Sequence, residues 1–215
     1  YGYIMDLNDN LPAAIKYYHR ALDIDSTLWM AYRNLGYLQD VFANYDSMNI
    51  YLSRAIRYSP HPESLYYDYG YSFDMAGKQD SALNYYYKSL KLDSLDSQAM
   101  LNIGVIWGDR GYNDSAKIYL RKSLIIKPNS AEACYNYGEI MTSDDSLEVA
   151  IAYFQKSLAL DQKLVAAKKR LGDLYEALND SAMAKIFYQE FVDTAPIIYS
   201  KDIDEIKQKL KLYKQ

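Results

Sequence analysis

Chemistry in this 215-residue chain would have to come from very few residues, since it holds one cysteine, two histidines and scattered carboxylates. A catalytic thiol needs a base or cation beside it to hold the thiolate. Cys134 falls on an apolar stripe, and His19 and His61 lie in other segments, so it reads as a small core hydrophobe. Two histidines and one cysteine make no zinc tetrad, and one cysteine makes no internal disulfide. Asp6, Asn8 and Asn10 begin like a calcium loop, but Leu11 stands where the turn glycine belongs and Tyr17 where the bidentate glutamate belongs. The adjacent Asp144 and Asp145 read as capping and solvation of a loop between helices rather than as an acid and base pair. There is no phosphate-binding glycine loop, nucleophile elbow or kinase signature. The expectation is a non-enzymatic chain with no catalytic residues, no metal and no cofactor.

The elements around these residues follow a fixed period. Gly2, Gly36, Gly70, Gly104, Gly138 and Gly172 recur at one unbroken spacing. Twelve positions after each come Ala14, Met48, Ala82, Ala116, Ala150 and Ala184, and sixteen after come Tyr18, Leu52, Tyr86, Leu120, Phe154 and Tyr188. Ala21, Ala55, Ser89, Ser123 and Ser157 stand nineteen after, while Pro60, Pro128 and Pro196 mark alternate units. Such a period means one supersecondary unit copied along the chain, each copy burying its apolar face on its neighbours. Apolar residues between the glycines keep helical spacing, as in Leu101, Val105 and Ile106 or Ile151, Phe154 and Leu158, which predicts two helices per unit. Asp46, Asp80 and Asp114 are expected to cap the second helices, Pro12 to sit at a first helical position, and the late prolines to end second helices.

This constellation resembles the tetratricopeptide repeat family over residues 1 to about 196. The resemblance implies an all-α, right-handed superhelical solenoid of six helix-turn-helix units, the first truncated, followed over 197–215 by a C-terminal capping helix. Ile203, Ile206, Leu210 and Tyr213 share one face of that last segment, with lysines elsewhere. A basic amphipathic helix of this kind also suits a membrane surface, but after a repeat array the cap is the expected role. Phe191 occupies the slot held by Ala or Ser in earlier units and is expected to end the array. The start at Tyr1, immediately before the first glycine, reads as a fragment. Met48 and Gln39 depart from the pattern of the second unit, which is expected to pack less well.

Half the residues are hydrophobic, the net charge is −4, and no apolar run reaches the roughly 20 residues a membrane span needs. An acidic chain without a basic stripe along the array argues against nucleic acid as partner. Tyrosine is abundant at 25 copies, and Tyr17, Tyr51, Tyr85, Tyr119 and Tyr153 with Phe187 form a ladder that the family resemblance explains without a ligand.

Function is then expected on a surface. In arrays of this family the first helices line the inner groove, through positions six and three before the glycine and one and four after it. Those positions bring Tyr3, Asp6, Arg33, Tyr37, Asp40, Tyr67, Tyr71 and Asp74 together early in the chain, and Tyr135, Glu139, Lys169, Asp173 and Glu176 late. The expected partner is a peptide or helix carrying basic residues, with tyrosines giving contact area and acids selecting Lys or Arg. A solvated face copied by duplication accounts for the same pattern equally. The clamp for acidic chaperone tails is not expected, because no first helix carries lysine three before its glycine and asparagine one after it. Other expected roles are a structural or self-associating spacer and a regulatory arm of a larger protein.

Overall fold

The computed structural model describes residues 10–213, so the expectations for Gly2, Tyr3, Asp6 and Asn8 lie outside the described residues. Twelve α-helices and no strand occur among them: α1 (Leu11–Ile24), α2 (Trp29–Val41), α3 (Tyr45–Tyr58), α4 (Tyr66–Met75), α5 (Gln79–Leu92), α6 (Ser97–Asp109), α7 (Asn113–Ile126), α8 (Ala131–Ser143), α9 (Leu147–Leu160), α10 (Val165–Ala177), α11 (Ser181–Thr194) and α12 (Ser200–Leu212). Short 3₁₀ turns at Pro62–Leu65 and Ile197–Tyr199 lead into α4 and α12. The chain divides into two compact units, residues 1–106 and 107–215, with the boundary inside α6. None of the described helices is long and apolar enough to cross a membrane.

Inside each pair the chain reverses through one left-handed residue, Ala43, Gly77, Gly111, Asp145 or Asn179, which keep the same spacing as the helix glycines. This turn caps the preceding helix. Ala43 N–H donates to the Asp40 carbonyl and Asn44 N–H to that of Gln39, and the same two bonds recur from Gly77 and Lys78 to Asp74 and Phe73. That satisfies carbonyls the helix end would leave open. Gly77 and Gly111 take the conformation without a Cβ penalty, while Ala43 takes it against that penalty.

The expected caps move two positions earlier. Asp46, Asp80 and Asp114 lie inside the first turns of α3, α5 and α7, whose N-caps are Asn44, Lys78 and Tyr112. Only Asn44 among these three caps with its side chain, accepting from Ser47 N–H at 3.3 Å. The aspartates act through the helix dipole and ion pairs instead, Asp46 with Lys78 at 2.9 Å and Asp114 with Lys117 at 2.9 Å. Pro12 sits at the second helical position of α1, where the missing N–H still costs nothing. Second helices end at Tyr58, Ile126 and Thr194, just short of Pro60, Pro128 and Pro196. Where proline is absent, Asp25, Asp93 and Asp161 turn the chain by accepting from the N–H of Thr27, Leu95 and Lys163, at 2.8, 2.9 and 2.9 Å.

The periodic columns build the core. The residues twelve and sixteen after each glycine, from Ala14 and Tyr18 to Ala184 and Tyr188, are all buried, Met48 included. The glycine makes room for the large one. A Cβ on Gly36, Gly70 or Gly138 would stand 3.1, 2.8 or 3.0 Å from Leu52, Tyr86 or Phe154, and one on Gly172 would enter the Tyr188 ring. Phe191 is buried among Val165, Ala184, Tyr188, Ile206 and Leu210, with Tyr199 edge-on to it at 5.7 Å. α12 therefore packs where a further first helix would, and Ile206 falls one full repeat after Gly172, in the glycine's own register. The filled slot at Phe191 meets the filled slot at Ile206.

Candidate functional site

The first helices carry the expected face, and their polar side chains bond from one pair to the next. In the unit 1–106, Tyr37, which follows Gly36, donates to Asp68 Oδ2 at 2.5 Å. Tyr71, which follows Gly70, reaches back to Asp40 Oδ1 at 3.4 Å. Arg33 lies against the rings of Trp29 and Tyr37, at 5.6 and 5.5 Å from their centroids, with its Nε buried and without an acceptor among the described residues. Tyr67 packs on the Tyr86 ring at 5.7 Å, and Asn102 donates to both hydroxyls, at 3.3 and 3.0 Å. Asp74 sits 3.5 Å from the Tyr86 hydroxyl.

Burial sets the electrostatics of this face. It pushes the Asp68 carboxyl above its ordinary range, against the opposing pull of the Tyr37 hydroxyl and Arg33. It likewise raises the hydroxyls of Tyr37, with Asp68 beside it, and Tyr71, with Asp40 beside it. Asp68 is thus a desolvated carboxylate held by one hydroxyl, and an added cation nearby would stabilise it.

The face of residues 107–215 is internally neutralised. Arg170 Nε donates to Glu139 Oε1 at 2.7 Å, and burial with Glu139 pushes Tyr135 up to about 12. Lys169 lies between Asp173, at 3.7 Å, and Asp202 of α12, at 3.5 Å. Both oxygens of Glu176 are taken by the C-terminal segment, Oε2 by Lys209 at 2.8 Å and Oε1 by Tyr213 at 2.7 Å. The Tyr188 hydroxyl stands 2.8 Å from Asp173 and 2.9 Å from Glu176. Burial alone would raise Glu176, but Lys209, Tyr213 and Tyr188 bring it below the ordinary glutamate value. Lys209, expected on the solvated side of the last segment, is instead the partner of Glu176 on α10.

Three groups were not visible as site residues in the pattern. Asp68 and Asn102 stand two positions before Gly70 and Gly104, and only their bonds to tyrosines of the preceding pair reveal the link. Lys209 became a partner because α12 continues the register of the repeats. The expectation of no basic stripe also needs correction: Arg20, Arg54, Lys88, Lys122 and Lys156 recur on the second helices, eighteen positions after the first five glycines, and Glu190 takes that place after Gly172. Several rest on tyrosines, Arg54 on Tyr32 at 5.7 Å and Lys88 on Tyr85 at 4.3 Å.

Elsewhere, Cys134 is buried in α8 and burial raises its thiol, which disfavours the thiolate. Among the described residues no three His, Cys, Asp or Glu side chains converge on a possible metal position. Asp144 binds Lys117 at 2.7 Å and Asn113 at 2.9 Å and is held below the usual carboxylate range by them.

Residues 131–164 and 170–197 match the sequence profile of the tetratricopeptide repeat. No curated protein sequence matches the chain. Solved structures similar to it include PilW, described as a widely conserved type IV pilus biogenesis factor, at 18% identity over 95% of this chain and 94% of that one, TM-score 0.82. PilF of Pseudomonas aeruginosa is similar at 16% identity over 97% and 94%, TM-score 0.80. YrrB, described as a TPR protein with an unusual peptide-binding site, is similar at 22% identity over 77% and 86%, TM-score 0.64. At these identities the likeness is one of fold.

Proposed function

We propose that this chain, whose residues 131–164 and 170–197 match the tetratricopeptide-repeat profile, is a non-enzymatic protein-interaction scaffold binding a basic peptide or helix of a partner protein on the first-helix face of residues 1–106. The observation that carries this reading is the distribution of charge. Residues 1–106 hold twelve Asp and Glu against eight Lys and Arg, whereas residues 107–215 hold sixteen of each. The whole net charge of −4 thus falls in the first unit. There the face acids Asp40 and Asp68 meet tyrosine hydroxyls, while Glu139 and Glu176 of the second unit meet Arg170 and Lys209. A partner's lysine or arginine therefore gains most beside Asp40, Asp68 and Asp74, with Tyr37, Tyr67 and Tyr71 offering stiff amphipathic contact area. A peptide-binding site in the similar YrrB structure agrees with this class of function.

A second reading has its own observation. The Tyr37–Asp68 and Tyr71–Asp40 bonds fasten neighbouring pairs, so the same side chains serve a spacer whose face is only structural. Affinity capture from source-cell lysate at low and high salt separates the two. The interaction reading expects partners that are lost at high salt and lost from the Asp40→Asn, Asp74→Asn double variant. Equal retention by that variant supports the spacer.

A further inference from the structure

The second helices of residues 107–215 are α7, α9 and α11, and each turns one side to solvent at the places fourteen, seventeen, eighteen and twenty-one after its glycine. Those spacings share one helical face. On α7 they hold Ile118, Arg121, Lys122 and Ile125, all exposed, the isoleucines at 53% and 77%. On α11 they hold Ile186, Gln189, Glu190 and Asp193, also exposed, with Ile186 at 50%. On α9, which lies between them in the chain, they hold Ala152, Gln155, Lys156 and Ala159. The same four places thus read apolar and basic, then small, then apolar and acidic.

The unit itself makes little use of these side chains. Isoleucine is a poorer helix former than the Lys, Glu or Gln that suit a solvated place, so propensity does not select it there. Lys117 is taken by Asp114 and Asp144, but Arg121, Lys122 and Glu190 form no ion pair among the described residues. The matching places on α3 also carry an isoleucine and two bases, Ile50, Arg54 and Arg57, but there both bases lie over rings, of Tyr32 and Tyr58. Beside α7 a hollow of about 530 Å³ opens on Asp114, Lys117, Ile118 and Arg121. The complement of the α7 face is present on this chain, at the same register, on α11.

We propose that this face is a self-association surface, on which two copies of the chain pair across a two-fold axis along α9, so that α7 of each meets α11 of the other. Such an axis exchanges α7 with α11 and keeps their direction, so like places face one another. Ile118 then packs on Ile186 of the second copy at the hollow, and Lys122 meets its Glu190, with Arg121 in reach of its Asp193. Each contact occurs twice, as an isologous interface requires. Ala152 and Ala159 stand at the axis, where short side chains let the longer flanking ones touch. Three 14-residue helices, each about 21 Å long and about 11 Å across, offer roughly 700 Å², close to the ~800 Å² a side that stable pairs bury. Lys156 alone would meet its own copy, and its stem must turn aside. The surface lies on second helices, apart from the first-helix face proposed above for a basic peptide.

Sedimentation equilibrium of the 215-residue chain over a roughly hundredfold range of concentration tests the pairing. A monomer–dimer equilibrium is expected, weakened about tenfold or more by Lys122→Glu or by Glu190→Lys. An equimolar mixture of these two variants should recover the dimer, and so should the chain carrying both, because each restores opposite charges at both contacts. Lys156→Ala should tighten the pair, since only an axis along α9 sets that lysine against itself. These side chains are exposed, so the variants keep their fold, which circular dichroism checks. The Asp40→Asn, Asp74→Asn variant should dimerise unchanged, so this proposal and the one for the acidic face fail separately. A monomer throughout, a dimer indifferent to both charge reversals, no recovery in the mixture, or an assembly that keeps growing with concentration overturns it.

Discussion

Single residues in this protein act through the space they leave. Gly36 and Gly172 occupy the same register position, yet their tolerance of a methyl group should differ. A Cβ at Gly36 meets Leu52 at 3.1 Å, and Leu52 has rotamers with which to yield. The gain in helix propensity, about 1 kcal/mol, offsets the contact, so Gly36→Ala should be close to neutral. At Gly172 the Cβ enters a buried Tyr188 ring whose hydroxyl is held between Asp173 and Glu176, so the ring cannot retreat. Gly172→Ala should cost about 1–3 kcal/mol in urea unfolding. Ala43 is the reverse case, a residue with a Cβ at φ 51°. Ala43→Gly should raise stability by about 0.5–1 kcal/mol, since relief of left-handed strain exceeds the added chain entropy. The glycine column was plain in the sequence because spacing alone shows it. The turn column was hidden because only Gly77 and Gly111 announce a left-handed residue, while alanine, aspartate and asparagine fill the other places.

Between helices, the contacts that matter are those made by α12. Phe191→Ala would empty a buried site shared with Ile206 and Leu210 and should cost about 3–5 kcal/mol. Loss of protection in α12 by hydrogen exchange would follow. The acid dependence of the same docking has a definite sign. Glu176 has its folded-state value lowered from 4.5 by Lys209, Tyr213 and Tyr188, so its contribution is complete above that value and is lost as pH falls through the lower folded-state one. Proteolysis of α12 should therefore accelerate below about pH 4.5 in the natural chain, and Glu176→Gln should remove that part of the pH dependence while leaving α12 less protected at neutral pH. Amphipathicity made this helix legible in the sequence. Its register was not, because isoleucine at position 206 stands where the eye follows glycine, and the compensating bulk at Phe191 becomes meaningful only when the two are seen in one cluster.

For the whole molecule, charge distinguishes the two units, since the net −4 falls in residues 1–106. If the acidic first unit recruits a basic partner, raising salt from low to physiological ionic strength should weaken the complex, and Asp40→Asn with Asp74→Asn should flatten that dependence. Isothermal titration with the captured partner at two salt concentrations measures it. The fold was legible throughout because a period repeated six times averages out local exceptions such as Met48. The candidate site was legible only as a face. Which acids on it are already paired depends on cross-pair bonds and on Lys209, and residue type along one helix does not encode those.

The links between pairs carry a record of another kind. Asp25, Asp93 and Asp161 close one class of link, and Pro60, Pro128 and Pro196 the other, so each class recurs in every second unit rather than in every one. Copying of a double repeat, with one aspartate-linked and one proline-linked half, would leave this alternation. Recombination that adds or deletes a whole double repeat would keep the alternation, whereas gain or loss of a single unit would set two like links in succession. Relatives of different length should accordingly differ by whole double repeats.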